Sequence, residues 1–330
     1  MTERYVLVTG GFGFVGSYLV ERLLKDDGTR IHVVDSLVSS PIDVGSFTQK
    51  LGNPARLTYD LIPIEAYWQK GEPRPRFDEI YHLASIVGPV GVLEHAGRIV
   101  KQITEDTYRM VEMAKADRAR LCDVSTSEVY GGGRDGYCAE GDSKIIPPVV
   151  SVRLEYAVAK LACEVALINT ARVSDLYAVI IRPFNIAGPR QSGRGGFVLP
   201  RFIDQALKNA PLTVYGTGKS IRAFTHVADV ADGIVRALRK GTRGEVYNIG
   251  NPANKVHILE LAERVIRISG TSSRPEFVDP KSIFGPLFEE ANDKYPDSDR
   301  AMRELEWRPQ FDLDEIIRQT LEYIKAGRRD

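Results

Sequence analysis

Apolar residues along the chain fall into short unbroken runs that alternate with longer stretches of helical spacing. Tyr5–Thr9 (YVLVT) is a compact apolar run ended by Gly10 and predicts a strand buried on both faces. Phe14–Leu24 follows, with Val15, Leu19, Val20, Leu23 and Leu24 spaced along one helix face. Ile31–Asp35 predicts a second buried strand, and Ile80–Ala84 and Leu121–Ser125 predict later ones, with a helix over Ile99–Ala114 between them. Tyr156–Thr170 reads as a helix, and Ala178–Arg182 as a strand ended by Pro183. Strands alternating with helices imply an α/β fold, a doubly wound parallel sheet.

Beyond Pro183 the pattern changes. Ala187–Pro200 is rich in glycine and proline and predicts a loop closing over a site. A helix over Arg201–Lys208, a short strand at Thr213–Tyr215, a helix over Val227–Arg239 and a strand at Glu245–Ile249 follow. Helices are expected again at Ile258–Ile268 and Leu313–Lys325. The expected division is a sheet domain over 1–182, rejoined by 227–257, and a smaller mixed α/β lobe made of 183–226 and 258–330.

Composition narrows the classes. The chain has 330 residues, 43% hydrophobic and 27% charged, with Lys plus Arg and Asp plus Glu both at 44. That balance suits a large domain with a second lobe, and zero net charge offers no footprint for nucleic acid or an anionic membrane. Cys122, Cys138 and Cys163 have no metal-ligand spacing, and no metal is expected. They read as reduced thiols of a cytoplasmic protein. The first residues do not read as a signal peptide, and no apolar stretch is long enough for a bilayer.

Gly10, Gly13 and Gly16 stand between a predicted strand and a predicted helix. Such a turn needs a residue free to take positive φ, close backbone approach to a pyrophosphate, and tight helix–strand packing. The helix start at Phe14 and Val15 offers free N–H groups to phosphate. Asp35 ends the second strand about 20 residues on, where a carboxylate accepts the ribose hydroxyls of NAD. No Lys or Arg follows it immediately to neutralise a 2′-phosphate, so NAD is expected over NADP. The sheet domain thus reads as a Rossmann-type NAD-binding domain, and the smaller lobe as substrate-binding.

Tyr156 and Lys160 are i, i+4 on one helix face. A phenol with a pKa of about 10 is a poor base until a neighbouring ammonium stabilises its anion. Ser125-Thr126-Ser127-Glu128-Val129-Tyr130-Gly131 follows a predicted strand at the carboxyl edge of the sheet. With the glycine turn, Tyr81-His82-Leu83-Ala84 and Arg182-Pro183-Phe184-Asn185-Ile186-Ala187-Gly188-Pro189-Arg190, these motifs resemble the extended short-chain dehydrogenase/reductase family, in its nucleotide-sugar epimerase, dehydratase and decarboxylase group.

The resemblance implies roles. Thr126 matches the residue that hydrogen-bonds the reacting sugar hydroxyl, and Tyr156 the base that deprotonates it. Lys160 matches the lysine that lowers the tyrosine pKa and holds the nicotinamide ribose. Asp60, Leu61, Leu83, Ala84 and Ser85 fall on the cofactor. Asn185, Arg201 and Arg222 fall on the sugar nucleotide, Arg222 with a planar fork suited to diphosphate. His82 and His226 read as structural. A homodimer packed through helices of the first domain, the Tyr156 helix included, is also implied.

The shared first step in that group is oxidation at sugar carbon 4. A 6-carboxylate then makes the product a β-keto acid that loses carbon dioxide, a 6-hydroxyl allows loss of water, and reduction from the other face inverts carbon 4. The hydrogen returns to the sugar, so NAD is a catalyst and no net redox occurs. The 4,6-dehydratases carry Asp-Glu where this chain has Ser127-Glu128, and Ser127 is no acid for a leaving hydroxyl. Ser-Glu, Asn248–Pro252 and Trp307-Arg308-Pro309 are similar to UDP-glucuronic acid decarboxylases. Those enzymes place an arginine where this chain has Lys294, ahead of Tyr295-Pro296-Asp297, and the Phe284–Asn292 insert has no counterpart among them. The reading is therefore decarboxylation of a UDP-linked uronic acid, with 4-epimerisation as the alternative, 4,6-dehydration less favoured, and a dinucleotide-binding sensor or scaffold as the non-enzyme option.

Overall fold

The computed structural model describes residues 3–327 except 53, 72, 132–136, 147–150, 194–195 and 286–292. Its centre is a seven-stranded parallel sheet: β1 (Arg4–Thr9), β2 (Thr29–Val34), β3 (Leu57–Asp60), β4 (Glu79–His82), β5 (Arg120–Val124), β6 (Tyr177–Pro183) and β7 (Val246–Ile249), in the spatial order β7-β6-β5-β4-β1-β2-β3. The order reverses between β1 and β4, and a doubly wound sheet opens a crevice for ligand at that switch point, beyond the carboxyl ends of its strands.

Strand alternation decides the two layers. Leu7, Ile80, Leu121 and Ile180 point to one face, where Met110, Val111 and Met113 of α2 (Ile99–Asp117) and Leu167 of α3 (Val152–Val173) cover them. Val6, Val8, Val33, Cys122 and Ile181 point to the other, against Leu19, Val20 and Leu23 of α1 (Phe14–Leu24). Burying each of these large side chains favours folding by about 1.5–3 kcal/mol.

A second core joins α4 (Val198–Leu207), α6 (Ile258–Ser269) and α7 (Leu313–Lys325) through Phe202, Ile203, Leu261, Val265, Ile316 and Ile317. The helix Val227–Lys240, α5, lies with Val230, Ile234 and Leu238 in the sheet's core instead. Two features cross the division read from sequence. Lys255–His257 pairs antiparallel with Ile221–Ala223, away from the main sheet. Ala301, Leu305 and Trp307 pack into the sheet's core, and the Trp307 indole N–H donates to the Asp229 carbonyl at 2.8 Å.

Short ribbons stitch the site together. Tyr137–Cys138 pairs with Tyr295–Pro296, and Lys294 bridges to Arg222, so the chain around residue 294 is drawn to the loop that follows β5.

Candidate active site

The glycine turn is built as its residues require. Gly10 has φ +71°, and a Cβ there would stand 2.8 Å from the Ala84 nitrogen. A Cβ on Gly16 would stand 2.0 Å from the Gly10 carbonyl oxygen. Neither place admits a side chain. Gly13 caps α1 without a side-chain bond, so the first turn of the helix keeps N–H groups for an anion. The Asp35 carboxylate accepts the Phe12 N–H at 2.9 Å and the Leu37 N–H at 2.8 Å. Burial pushes its pKa up while these backbone donors pull it down. A carboxylate has about four acceptor positions, so capacity remains for ribose hydroxyls. A glycine-lined turn, an open helix start and a carboxylate at the end of β2 fit NAD.

The other residues expected at the cofactor divide. The Leu83 and Ala84 N–H groups donate to the Thr9 hydroxyl at 3.2 and 3.3 Å, which fixes the strand end beside the turn. Ser85 follows them with its hydroxyl 3.5 Å from the Ile86 carbonyl, and Leu61 is exposed. Asp60 is taken by the Lys70 ammonium at 2.5 Å and His32 Nε2 at 3.2 Å.

Past β5 the chain enters a short 3-10 turn, Ser127–Tyr130, capped by the Thr126 side chain, which accepts the Glu128 N–H at 3.2 Å. That cap brings Thr126 beside α3. Tyr156 is 8% exposed and lies near enough to Thr126 for that side chain to influence its pKa. Lys160, 1% exposed, donates from Nζ to the Val124 carbonyl at 2.8 Å. Burial pushes the Tyr156 phenol above its ordinary pKa, while the Lys160 charge and the neighbouring Thr126 side chain pull it down. The lysine thus acts in the direction expected from sequence, but burial outweighs it here.

Glu128 is clamped on the outer side. It accepts from Arg153 Nε at 2.7 Å and a terminal nitrogen at 2.8 Å, and from Lys294 Nζ at 2.7 Å. Arg153 and Lys294 overcome burial and hold its carboxyl far below the usual range, so it is a fixed anion rather than an acid. Burial brings Lys294 down to about 8; Glu128 opposes this, and the Arg153 and Arg222 charges assist it. Arg222 lies 3.7 Å from Asp293 Oδ1. Ser127 is buried in the same turn. The Asn185 amide donates to the Ala223 carbonyl at 3.3 Å, and the Arg201 guanidinium stacks 3.8 Å over the Tyr215 ring. Of the Phe284–Asn292 insert, 286–292 lie outside the described residues.

His82 and His226 serve packing. The His82 Nδ1 meets the Thr9 hydroxyl at 2.8 Å, and His226 caps α5 by accepting the Ala228 N–H. Sequence reading missed Arg153 and a buried network behind the turn: Ser125 donates to Glu164 at 2.5 Å, and Arg182 reaches both Glu164 and the Tyr130 hydroxyl. The signal was present, because Arg153, Tyr156, Lys160 and Glu164 step by three, four and four residues along one helix face.

A doubly wound sheet with this cradle beside a threonine, tyrosine and lysine defines an NAD-dependent enzyme of the short-chain dehydrogenase/reductase type. The chain belongs to the NAD dependent epimerase/dehydratase family, whose model matches residues 6–250. It is 29% identical to the UDP-N-acetyl-alpha-D-glucosaminuronate decarboxylase of Bacillus cytotoxicus, over 99% of this chain and all of that one. It is 32% identical to UDP-glucuronic acid decarboxylase 1 of Arabidopsis thaliana, over 94% of this chain and 67% of that one. Among solved structures, the Bacillus cereus UDP-glucuronic acid 4-epimerase, in complex with UDP-glucuronic acid and NAD, superposes with a TM-score of 0.82 at 28% identity, covering 98% of this chain and 99% of that one.

Proposed function

We propose that this enzyme decarboxylates a UDP-linked uronic acid, UDP-glucuronic acid first, through a transient 4-keto sugar. One observation carries the reading: near Thr126 and Tyr156 the buried Lys294 ammonium pairs with Glu128 at 2.7 Å, bridges to the buried Arg222, and feels the charges of Arg153 and Arg222. Cationic side chains gathered at one place suit a substrate that brings a carboxylate and a diphosphate. When bound, NAD supplies reversible two-electron oxidation of carbon 4. Thr126 orients the 4-hydroxyl, Tyr156 takes its proton, and Lys160 stabilises the phenolate. Lys294 pairs with the 6-carboxylate, Arg222 and Asn185 hold the nucleotide side, and Ser127 leaves no acid to expel a hydroxyl.

Incubation with UDP-glucuronic acid, and in parallel with its 2-acetamido counterpart, is expected to yield carbon dioxide and a UDP-linked pentose from one of them. A 4-inverted uronic acid without gas would overturn this reading and establish the epimerase, the activity named for the Bacillus cereus neighbour.

NAD falls to the sheet lobe (1–182 with 227–257, its Lys255–His257 ribbon excepted) and the sugar to the smaller lobe (183–226 and 258–330), the tail around Trp307 returning to the sheet. The outer faces of α2 and α3 expose Val100, Tyr108, Val158 and Val165. A homodimer burying them would sediment at twice the chain mass. The three cysteines are buried thiols, in keeping with a reducing cytoplasm. Among the described residues no helix is long and apolar enough to cross a membrane.

A further inference from the structure

Thr9, His82 and Asp123 stand in register across the three central strands β1, β4 and β5. All three follow Leu7, Ile80 and Leu121 by two residues, so all point to the face covered by α2 and α3. The Thr9 hydroxyl already accepts the Leu83 and Ala84 N–H groups, so its one proton goes to His82 Nδ1. His82, whose pKa burial and the Lys160 charge lower to about 3, is neutral with its remaining proton on Nε2. That nitrogen lies 4.0 Å from Asp123 Oδ1, too far for a hydrogen bond.

Asp123 is 1% exposed, and neither carboxylate oxygen has a hydrogen-bond partner among the described residues. A buried carboxylate without donors is costly unless a charge compensates it. The compensating charge is Lys160, whose ammonium is anchored on the carbonyl of the next residue, Val124. Lys160, Cys163 and Glu164 face Asp123 from α3, and His82 from β4. Glu164 repels it but is itself held by Arg182 and Ser125.

We propose that Asp123 is a positioning residue of the active site, the buried counter-charge against which the Lys160 ammonium acts on Tyr156. The inference rests on the reading of Tyr156 and Lys160 as the reacting pair. Burial lifts Asp123 to about 6, so it is a neutral acid below that pH and a carboxylate above it. As a carboxylate it offsets part of the Lys160 field, and its negative charge, behind burial and the Glu128 charge, helps hold the Tyr156 pKa up. Removing that charge while keeping the shape therefore lets Lys160 acidify Tyr156 further.

The test titrates tyrosinate absorbance in NAD-loaded protein without sugar, comparing wild type, D123N and Y156F. The component missing from Y156F is expected about one pH unit lower in D123N, the size of a single like-charge interaction. In turnover, the kcat inflection moves with it while KM stays unchanged. D123L, which replaces the carboxylate by an apolar side chain, must give the same displacement. A Tyr156 component that superimposes on wild type in either variant overturns the proposal, whatever happens to thermal stability. Full activity in Y156F would instead overturn the reading of the reacting pair, so the two failures are distinguishable.

Discussion

The chemistry depends on a few side chains whose environments set them against each other. Tyr156→Phe should keep NAD and lose at least ~100-fold in turnover, the scale of a removed general base, as measured by steady-state assay. Lys294 gives a pH test. Its pKa is lowered to about 8, so below that value the ammonium can pair with a substrate carboxylate and above it the charge is lost. The kcat/KM for the uronic acid should therefore fall as pH rises through 8, because that ratio reports the free enzyme. K294R, charged throughout, should remove the fall; a fall unchanged in K294R would contradict the assignment. Thr126, Tyr156 and Lys160 could be singled out in the sequence, the last two by their i, i+4 spacing and Thr126 by the motif resemblance, and the structure places Thr126 beside the helix that carries the other two. Asp123 was not, since an aspartate within an apolar strand pattern gives no sign of which neighbours it will meet across the sheet.

At the scale of elements, α3 sets the site. Ser151 caps its start by accepting the Leu154 N–H, and Glu155 reaches across to accept the Gly97 and Ile99 N–H groups at 2.8 and 3.1 Å, docking α3 on the start of α2. From this fixed helix Arg153 clamps Glu128 while Glu164 holds Arg182 and Ser125. Arg153→Ala removes a bidentate partner of Glu128 and should lower kcat by about tenfold or more, the equivalent of about 1.5 kcal/mol for a charge-assisted bond. NAD content should be unchanged, and an unaltered kcat would show that the clamp is idle. The long helices and buried strands were readable from their periodicity, and α1 spans the residues expected of it. The short Leu57–Asp60 strand was missed because Thr58 and Tyr59 face outward, leaving no apolar run to mark it.

For the whole molecule, the sheet supplies the cradle and the returning tail fastens the rest to it. Trp307 is fully buried against the sheet and hydrogen-bonded to Asp229, though the tail was expected in the smaller lobe. A local pattern marks such a residue as core without saying which core. Trp307→Ala should cost about 3–5 kcal/mol, seen as a lower denaturation midpoint. A midpoint unmoved would mean that the tail does not secure the sheet. The central claim, a carbon-4 oxidation that releases a carboxyl group and then returns the hydrogen, is tested most directly with UDP-glucuronic acid deuterated at carbon 4. The account predicts one carbon dioxide per sugar consumed, a UDP-pentose that retains the deuterium, and no net change in NAD. Turnover that leaves the carboxyl group in place, with the deuterium on an inverted carbon 4, would contradict it.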